Sequence, residues 1–162
     1  MIRLHHAFAL LLLTGCGGMQ TTSPSVYRDN LVTPSGEPAY ITVQHCLIGF
    51  EGSVPGKNIM RSQAEAEELA QRLFAEAESG ADFGKLVNQH TDDSPPGIYK
   101  MANYDFPGDM TSRVPSNHVF ARDQMVPAFG DTGFPLAVGE IGLATYDPQK
   151  SPFGWHIVKR IK

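Results

Sequence analysis

Three polar residues are the strongest candidates for chemistry in this sequence: His45, Asp93 and His156. The two histidines fall in apolar stretches, and Asp93 stands directly before a Ser-Pro pair. Each has an ordinary explanation by itself, because a histidine in an apolar strand is most often a satisfied core residue and an aspartate before Ser-Pro often caps a loop. Their order and spacing along the chain, taken with the segments around them, decide whether they act together.

The spacing of the histidines argues against a metal site. The candidate ligands are His45, His90, His118 and His156, and no two of them have the separation of a helical pair or of a zinc finger. We therefore expect no metal ion.

A second candidate set is apolar and lies in the C-terminal part of the chain: Met125, Val126, Phe129 and Phe153. Met125 and Phe129 are four residues apart, so a helix would place them on one face. Ordinary core packing is the plain explanation for such side chains. Cys46 is expected to be an inert core residue, because it has no basic neighbour in sequence that would favour the thiolate.

The N-terminus has the pattern of a bacterial export signal. Arg3 precedes an apolar run over residues 7–13, which is too short for a membrane-spanning helix of roughly 20 residues. The next segment, Leu13-Thr14-Gly15-Cys16, resembles the bacterial lipobox, which implies removal of the signal and lipid attachment at Cys16. A buried N-terminal helix is the alternative interpretation.

The composition predicts a tether followed by one globular domain. Residues 1–15 are assigned to a lipoprotein signal peptide, residues 16–38 to a flexible tether rich in Ser, Thr, Pro and Gly, and residues 39–162 to the domain. The 13 basic and 17 acidic residues give a net charge of −4, which lacks the basic surface needed for nucleic acid. The expected location is the cell envelope, with a lipid anchor in the membrane and the domain facing the periplasm or the exterior.

The elements that would position the candidate residues follow from periodicity and capping. Apolar residues alternate with more polar ones over residues 41–48, Ser62 and Glu65 form a capping box for a helix that ends near Ser79, and Asp82 caps a shorter helix. The predicted elements are strands at 41–48, 141–145 and 155–158, and helices at 62–79, 83–89 and 126–129. Residues 94–115 show no period and are predicted to be a long loop. This order indicates an α+β domain with an antiparallel sheet.

Taken in order, these segments resemble the parvulin family of peptidyl-prolyl cis/trans isomerases. The resemblance rests on segments in the family's order: residues 41–48, 64–70, 80–86, 90–94, 120–129, 134–141 and 153–159. It implies a four-stranded antiparallel sheet flanked by helices. It also implies an enzyme that works without a cofactor on extended or unfolded proline-containing protein segments.

The resemblance assigns a role to each candidate residue. His45 and His156 match two family histidines that lie side by side on central strands, and Asp93 matches a position that holds aspartate or cysteine. Met125, Val126 and Phe129 fall in the substrate helix and its approach, with Met125 and Phe129 at the pocket for the proline ring, and Phe153 falls near the rim. The histidine pair would orient Asp93 toward the rotating carbonyl rather than act as a general base.

Two departures from the family pattern bear on function. The family's Gly-Gly-Asp-Leu-Gly-like turn is replaced by residues 115–119, so its pocket-lining leucine has no clear counterpart, and the segment 94–119 is remodelled. After the first strand, only Lys57 and Arg61 could recognise phosphate, so selectivity for phosphoserine-proline is not expected. A foldase for exported proteins is the predicted function, and a peptide-binding chaperone module that uses the same cleft without turnover is the alternative.

Overall fold

A five-stranded mixed sheet forms the centre of the computed structural model, which describes residues 31–162. The strands are β1 (Tyr40–Ile48), β2 (Ile98–Ala102), β3 (Val119–Ala121), β4 (Ile141–Ala144) and β5 (Trp155–Arg160). Their order is β3-β2-β1-β5-β4, and every neighbouring pair is antiparallel except β2 and β3. The predicted signal peptide, Cys16 and the first part of the predicted tether lie outside the described residues.

Strand β1 is central because both of its faces are apolar. It pairs with β2 on one side and with β5 on the other, and Gln44 is the one residue of its nine that is not buried. Successive side chains of a strand point to opposite faces, so β1 contributes to two separate cores. The predicted α+β class and the predicted central first strand are confirmed.

The expectation of four antiparallel strands is wrong, because β2 lies inside the segment that was predicted to be a loop. Its five residues do not alternate: Ile98 is exposed, whereas Met101 and Ala102 are both buried, since this end of the strand is covered on both faces. The long segment 103–118 then returns the chain to the end of the sheet at which β2 begins. β3 consequently runs parallel to β2, as a long crossover connection allows.

Three helices cover the sheet: α1 (Gln63–Glu78), α2 (Phe83–His90) and α3 (Pro127–Gly133). The capping box of Ser62 and Glu65 is present with both of its reciprocal hydrogen bonds, and the side chain of Asp82 accepts from the backbone N–H of Lys85. The two predicted N-termini are confirmed. Between residues 31 and 162, no helix combines the length and the hydropathy that a bilayer crossing requires.

The helices divide the interior into two main cores. Helices α1 and α2 pack on the sheet face that carries Cys46, Ile48 and Ile157, whereas α3 packs on the opposite face against Ile41, Val43 and Val158. Because α3 has seven residues and α1 has sixteen, the second face is covered over a shorter length. The side chains of His45 and His156 lie on this second face.

Residues 31–38, the part of the predicted tether that the structure describes, form a tight hairpin. Val32 and Pro38 make a β-bridge, and the Glu37 carboxylate bonds the guanidinium of Arg122 at 2.9 Å. Arg122 is buried and also bonds Asn103 and Asp131. The hairpin is therefore joined to the chain just ahead of α3.

Candidate active site

Three neighbouring strands place polar side chains side by side on the face that α3 covers. His45 of β1 lies between His156 of β5 and Tyr99 of β2. The Nε2 atom of His45 lies 2.9 Å from Oδ2 of Asp93, and the Tyr99 hydroxyl donates to the same oxygen at 2.6 Å. The two imidazoles are stacked, with their Nδ1 atoms 3.3 Å apart.

The loop after α2 brings Asp93 to this group through its own hydrogen bonds. The Thr91 hydroxyl accepts from the backbone N–H groups of Leu47 and Asp93, and the neighbouring Asp92 accepts from the N–H of Gly49. Asp92 also forms an ion pair with Arg61. Asp92 therefore anchors the loop to β1, while the Asp93 side chain faces the histidine.

Two glycines allow the flanking strands to begin close to β1. Gly97 precedes β2 with φ +65°, and a Cβ there would lie 2.4 Å from the carbonyl oxygen of His45. Gly154 precedes β5 with φ +134°, and a Cβ there would lie 2.1 Å from the carbonyl oxygen of Ile48. Both positions need glycine for the left-handed backbone and for the close approach.

The environment sets the charges of Asp93, Tyr99 and His156 at neutral pH. The hydrogen bond from His45, followed by that from Tyr99, holds the pKa of Asp93 well below its ordinary range, although partial burial opposes this. Burial, together with the Asp93 hydrogen bond and charge, raises the pKa of Tyr99. Burial, with a smaller contribution from His45, lowers the pKa of His156 to about 3. Asp93 is therefore an anion, and Tyr99 and His156 are neutral.

The hydrogen-bond network assigns the ring protons when both imidazoles are neutral. A carboxylate only accepts, so Nε2 of His45 carries the hydrogen that is donated to Asp93. Nδ1 of His45 then accepts from Nδ1 of His156. This leaves Nε2 of His156 as a buried acceptor that has no hydrogen-bond partner among the described residues.

A mostly apolar cavity of about 230 Å³ opens beside this network. It contains all seven of the predicted catalytic and substrate-binding residues, which come from four separate parts of the chain. The lining residues are His45, Leu47, Val54, Pro55, Asp93, Tyr99, Met125, Val126, Phe129, Phe153 and His156. The cavity thus presents one anionic wall and a larger apolar surface.

The sequence did not identify four of these lining residues. Leu47 continues β1, and Val54 and Pro55 come from the loop that follows it, where no periodic signal marks them. Tyr99 was hidden because β2 was assigned to a loop. The apolar and aromatic run that starts after Gly97 could have indicated this strand. The centroid of the Tyr99 ring lies 5.1 Å from that of His45 and 5.6 Å from that of Phe120.

The other two histidines of the described residues, His90 and His118, do not line the cavity. Nε2 of His118 lies 2.8 Å from the carbonyl oxygen of Ser112, to which it donates, in the segment between β2 and β3. Across residues 31–162 no group of three or more His, Cys, Asp or Glu side chains has an arrangement that could hold a metal ion.

Comparison with known proteins identifies the family. The family model of the PPIC-type PPIase domain matches residues 30–161, which is most of the chain. The chain belongs to this family. Membership confirms the parvulin-type resemblance on which the roles of the candidate residues were predicted.

Among curated proteins, the chain is similar to the chaperone SurA of several bacteria. It is 31% identical to Chaperone SurA of Pseudomonas aeruginosa over 100 residues, which are 62% of this chain and 20% of that protein. It is 27% identical to Chaperone SurA of Chromohalobacter salexigens over 158 residues, which are 98% of this chain and 28% of that protein. The chain therefore spans less than a third of the length of these relatives.

Two solved structures share the fold. Peptidyl-prolyl isomerase ESS1 from Candida albicans superposes with a TM-score of 0.53 at 22% identity, covering 82% of this chain and 66% of that chain. The solution structure of TbPIN1 superposes with a TM-score of 0.50 at 18% identity, covering 76% and 98%. These likenesses support the α+β parvulin-like fold described above.

Proposed function

We propose that the chain catalyses cis/trans isomerisation of X-Pro bonds in protein substrates and acts as a foldase for exported proteins. The observation that carries this proposal is the apolar cavity with the fixed carboxylate of Asp93 on one wall. Met125, Val126, Phe129 and Phe153 would hold the proline ring, and the carboxylate would face the rotating carbonyl. His45 and His156 would keep the carboxylate in place.

The reaction needs only a cavity whose shape and charge favour the twisted state of the X-Pro bond over the planar state. An X-Pro bond rotates slowly because amide resonance gives its C–N bond partial double-bond character, with a barrier of roughly 20 kcal/mol. Rotation breaks that resonance and reduces the charge separation across O–C–N. An apolar pocket that grips the ring and excludes water stabilises the twisted state relative to the planar one. No cofactor or covalent intermediate is required.

An anion beside the carbonyl would add to this preference. In the planar amide, resonance places partial negative charge on the carbonyl oxygen, and the twisted state carries less of it. A carboxylate held close to that oxygen repels the planar state more than the twisted state, which lowers the barrier. The hydrogen bonds from His45 and Tyr99, which hold Asp93 in place and favour its ionised form, support this role.

Two sequence-based observations support an exported substrate class. The Leu13-Thr14-Gly15-Cys16 segment predicts export and a lipid anchor in the cell envelope, and the curated relatives are named chaperones. Extended, proline-containing segments of unfolded proteins fit a cavity that is partly open. The expected partners are therefore such segments and, through Cys16, a membrane.

A peptide-binding chaperone module without turnover is the second candidate. The segment between β2 and β3 replaces the family turn that carries a pocket-lining leucine, and the same curated relatives are named chaperones. Such a module would bind proline-containing peptides in the same cavity and would leave their isomerisation rate unchanged.

Replacing Met125 by alanine tests whether the cavity is the active site. In a protease-coupled isomerisation assay with the full chain, Met125→Ala should lower kcat/KM at least about tenfold, equivalent to about 1.4 kcal/mol, because the ring loses apolar contact in the twisted state. Met110→Ala is the matched control, because Met110 is half exposed and lies outside the cavity lining. A folded Met125→Ala variant with wild-type activity would place the active site elsewhere.

A further inference from the structure

We propose that Tyr99 is a positioning residue for this reaction, one whose hydroxyl fixes the Asp93 carboxylate and whose ring closes a wall of the cavity. The inference rests on the proposed isomerase function. It goes beyond that function by giving a role to a residue that neither the sequence nor the family resemblance singled out.

The hydroxyl of Tyr99 and the imidazole of His45 hold one oxygen of Asp93 from two sides. The hydroxyl lies 2.6 Å from Oδ2 and the Nε2 atom of His45 lies 2.9 Å from it. Both are charge-assisted hydrogen bonds, which are shorter and stronger than neutral ones. A backbone hydrogen bond from Ser94 also favours the ionised carboxylate, but the His45 and Tyr99 donors come from two neighbouring strands, and together they restrict its orientation.

The ring of Tyr99 is itself held in place. Tyr99 lies opposite Val43 in the β1–β2 register, so its backbone is set by the ladder. Its ring makes edge contacts with His45 at 5.1 Å and Phe129 at 5.9 Å, and a tilted contact with Phe120 at 5.6 Å. The hydroxyl therefore cannot move away from Asp93 without breaking this aromatic packing.

The ring of Tyr99 also forms part of the cavity wall. A leucine can give apolar contact only. Tyrosine gives apolar contact and a donor, so one residue joins substrate contact to the orientation of the carboxylate.

The other groups around Asp93 allow the effect of the Tyr99 hydroxyl to be measured separately from changes in charge. The titratable groups lining the cavity are Asp93 itself, His45, Tyr99 and His156, and His156 contacts His45 through its Nδ1 atom. The loop after β1, the approach to α3 and α3 itself present apolar side chains there: Val54, Pro55, Met125, Val126 and Phe129. Tyr99→Phe consequently removes one donor and changes no charge.

Steady-state kinetics of the full chain separates the two parts of the role. Tyr99→Phe should lower kcat about fivefold with KM unchanged, because one hydrogen bond is lost and the ring remains. Tyr99→Leu should lower kcat and also raise KM, because part of the wall is lost. Tyr146→Phe is the matched control, since its ring packs with Phe50 and Trp155 at the core on the opposite face.

A second measurement follows Asp93 directly. The side-chain carboxyl carbon of Asp93 is titrated by NMR in the wild type and in Tyr99→Phe. The midpoint should move upward in Tyr99→Phe, because a donor that favours the ionised form has been removed. Tyr146→Phe should leave the midpoint where it is in the wild type.

The outcomes distinguish this inference from the function on which it rests. An active wild type with unchanged kcat in a folded Tyr99→Phe overturns the inference and leaves the isomerase proposal standing. A loss of kcat without a shift of the Asp93 midpoint also overturns it, because the hydroxyl would then act through another group. A wild type without isomerase activity overturns the proposed function and this inference together.

Discussion

The buried imidazole of His156 makes the stability of this chain depend on pH. Its pKa is lowered to about 3, chiefly by burial, and its Nε2 atom has no hydrogen-bond partner among the described residues. In the unfolded chain a histidine takes up a proton near its ordinary pKa of about 6.5. Between these two values the unfolded state binds a proton that the folded state does not, so stability falls as pH falls.

The free energy of unfolding should therefore decrease as the pH is lowered from 7 toward about 3. The contribution of His156 should approach about 1.4 kcal/mol for each pH unit once the pH is well below 6.5. This pH dependence is measured by chemical denaturation of the wild type and of His156→Gln at pH 7, 6, 5 and 4. His156→Gln should show a flatter dependence, and equal slopes in the two proteins would contradict the buried neutral imidazole.

Among single residues, the order of the motifs selected side chains that the structure places around one cavity, and their roles stay predictions. His45, Asp93 and His156 were singled out as a set, and the structure brings them within hydrogen-bonding distance along a chain of three groups. Tyr99 was missed because its contact with Asp93 depends on the path of β2. Strand pairing brings these groups together, and no short-range pattern encodes it.

At the scale of elements, the turn at Gly97 controls how β2 joins the site. The backbone there is left-handed, and the N–H of His45 donates to the carbonyl oxygen of Gly97 at 2.9 Å. Any side chain at this position would meet the β1 backbone. The start of β2, and with it Tyr99, depends on the absence of that side chain.

Gly97→Ala should destabilise the domain more than the left-handed backbone alone explains. The left-handed conformation costs a non-glycine residue about 1–2 kcal/mol, and the Cβ atom would also lie 2.4 Å from the His45 carbonyl oxygen. Gly80→Ala is the control, because φ there is +97° and no atom lies within 4 Å of the added Cβ. Chemical denaturation measures the loss of unfolding free energy in both variants. Equal losses would mean that the close approach to the His45 carbonyl oxygen does not affect stability.

The helices were predictable and two of the strands were not, for a physical reason. Ser62 and Asp82 mark helix starts through hydrogen bonds to residues three positions away, which sequence alone displays. β2 and β3 are short and lack alternation, and they form because β1 and the long segment 103–118 supply partners. The predicted α3 was also shorter than observed, since the helix continues from Phe129 to Gly133.

At the scale of the whole molecule, the domain makes contacts ahead of its predicted start at residue 39. The sequence indicates a polar linker there, yet Glu37 pairs with the buried Arg122, 85 positions away in sequence. Buried charges are stabilised by such partners, and a polar composition cannot reveal where the partner lies. The family match from residue 30 agrees with this extent.

Cys16 remains a prediction for the part of the chain outside the described residues. If the lipobox-like segment is processed, the mature protein should begin with an acylated Cys16, and Cys16→Ala should be left unlipidated and largely unprocessed. Mass spectrometry of the N-terminal peptide after expression in a bacterial host measures this. An unmodified wild-type chain that still begins at Met1 would contradict lipid anchoring.

NMR exchange spectroscopy detects the proposed isomerase activity directly, as exchange between the cis and trans forms of an X-Pro peptide mixed with a substoichiometric amount of the full chain. The cavity is proposed both to bind the proline ring and to accelerate rotation, and this experiment observes both on one sample. Uncatalysed exchange takes tens of seconds or longer, so exchange peaks at short mixing times require catalysis. We predict exchange peaks with the wild type and their loss with Met125→Ala. Peptide binding at the cavity without exchange peaks would contradict the isomerase account and identify a binding module.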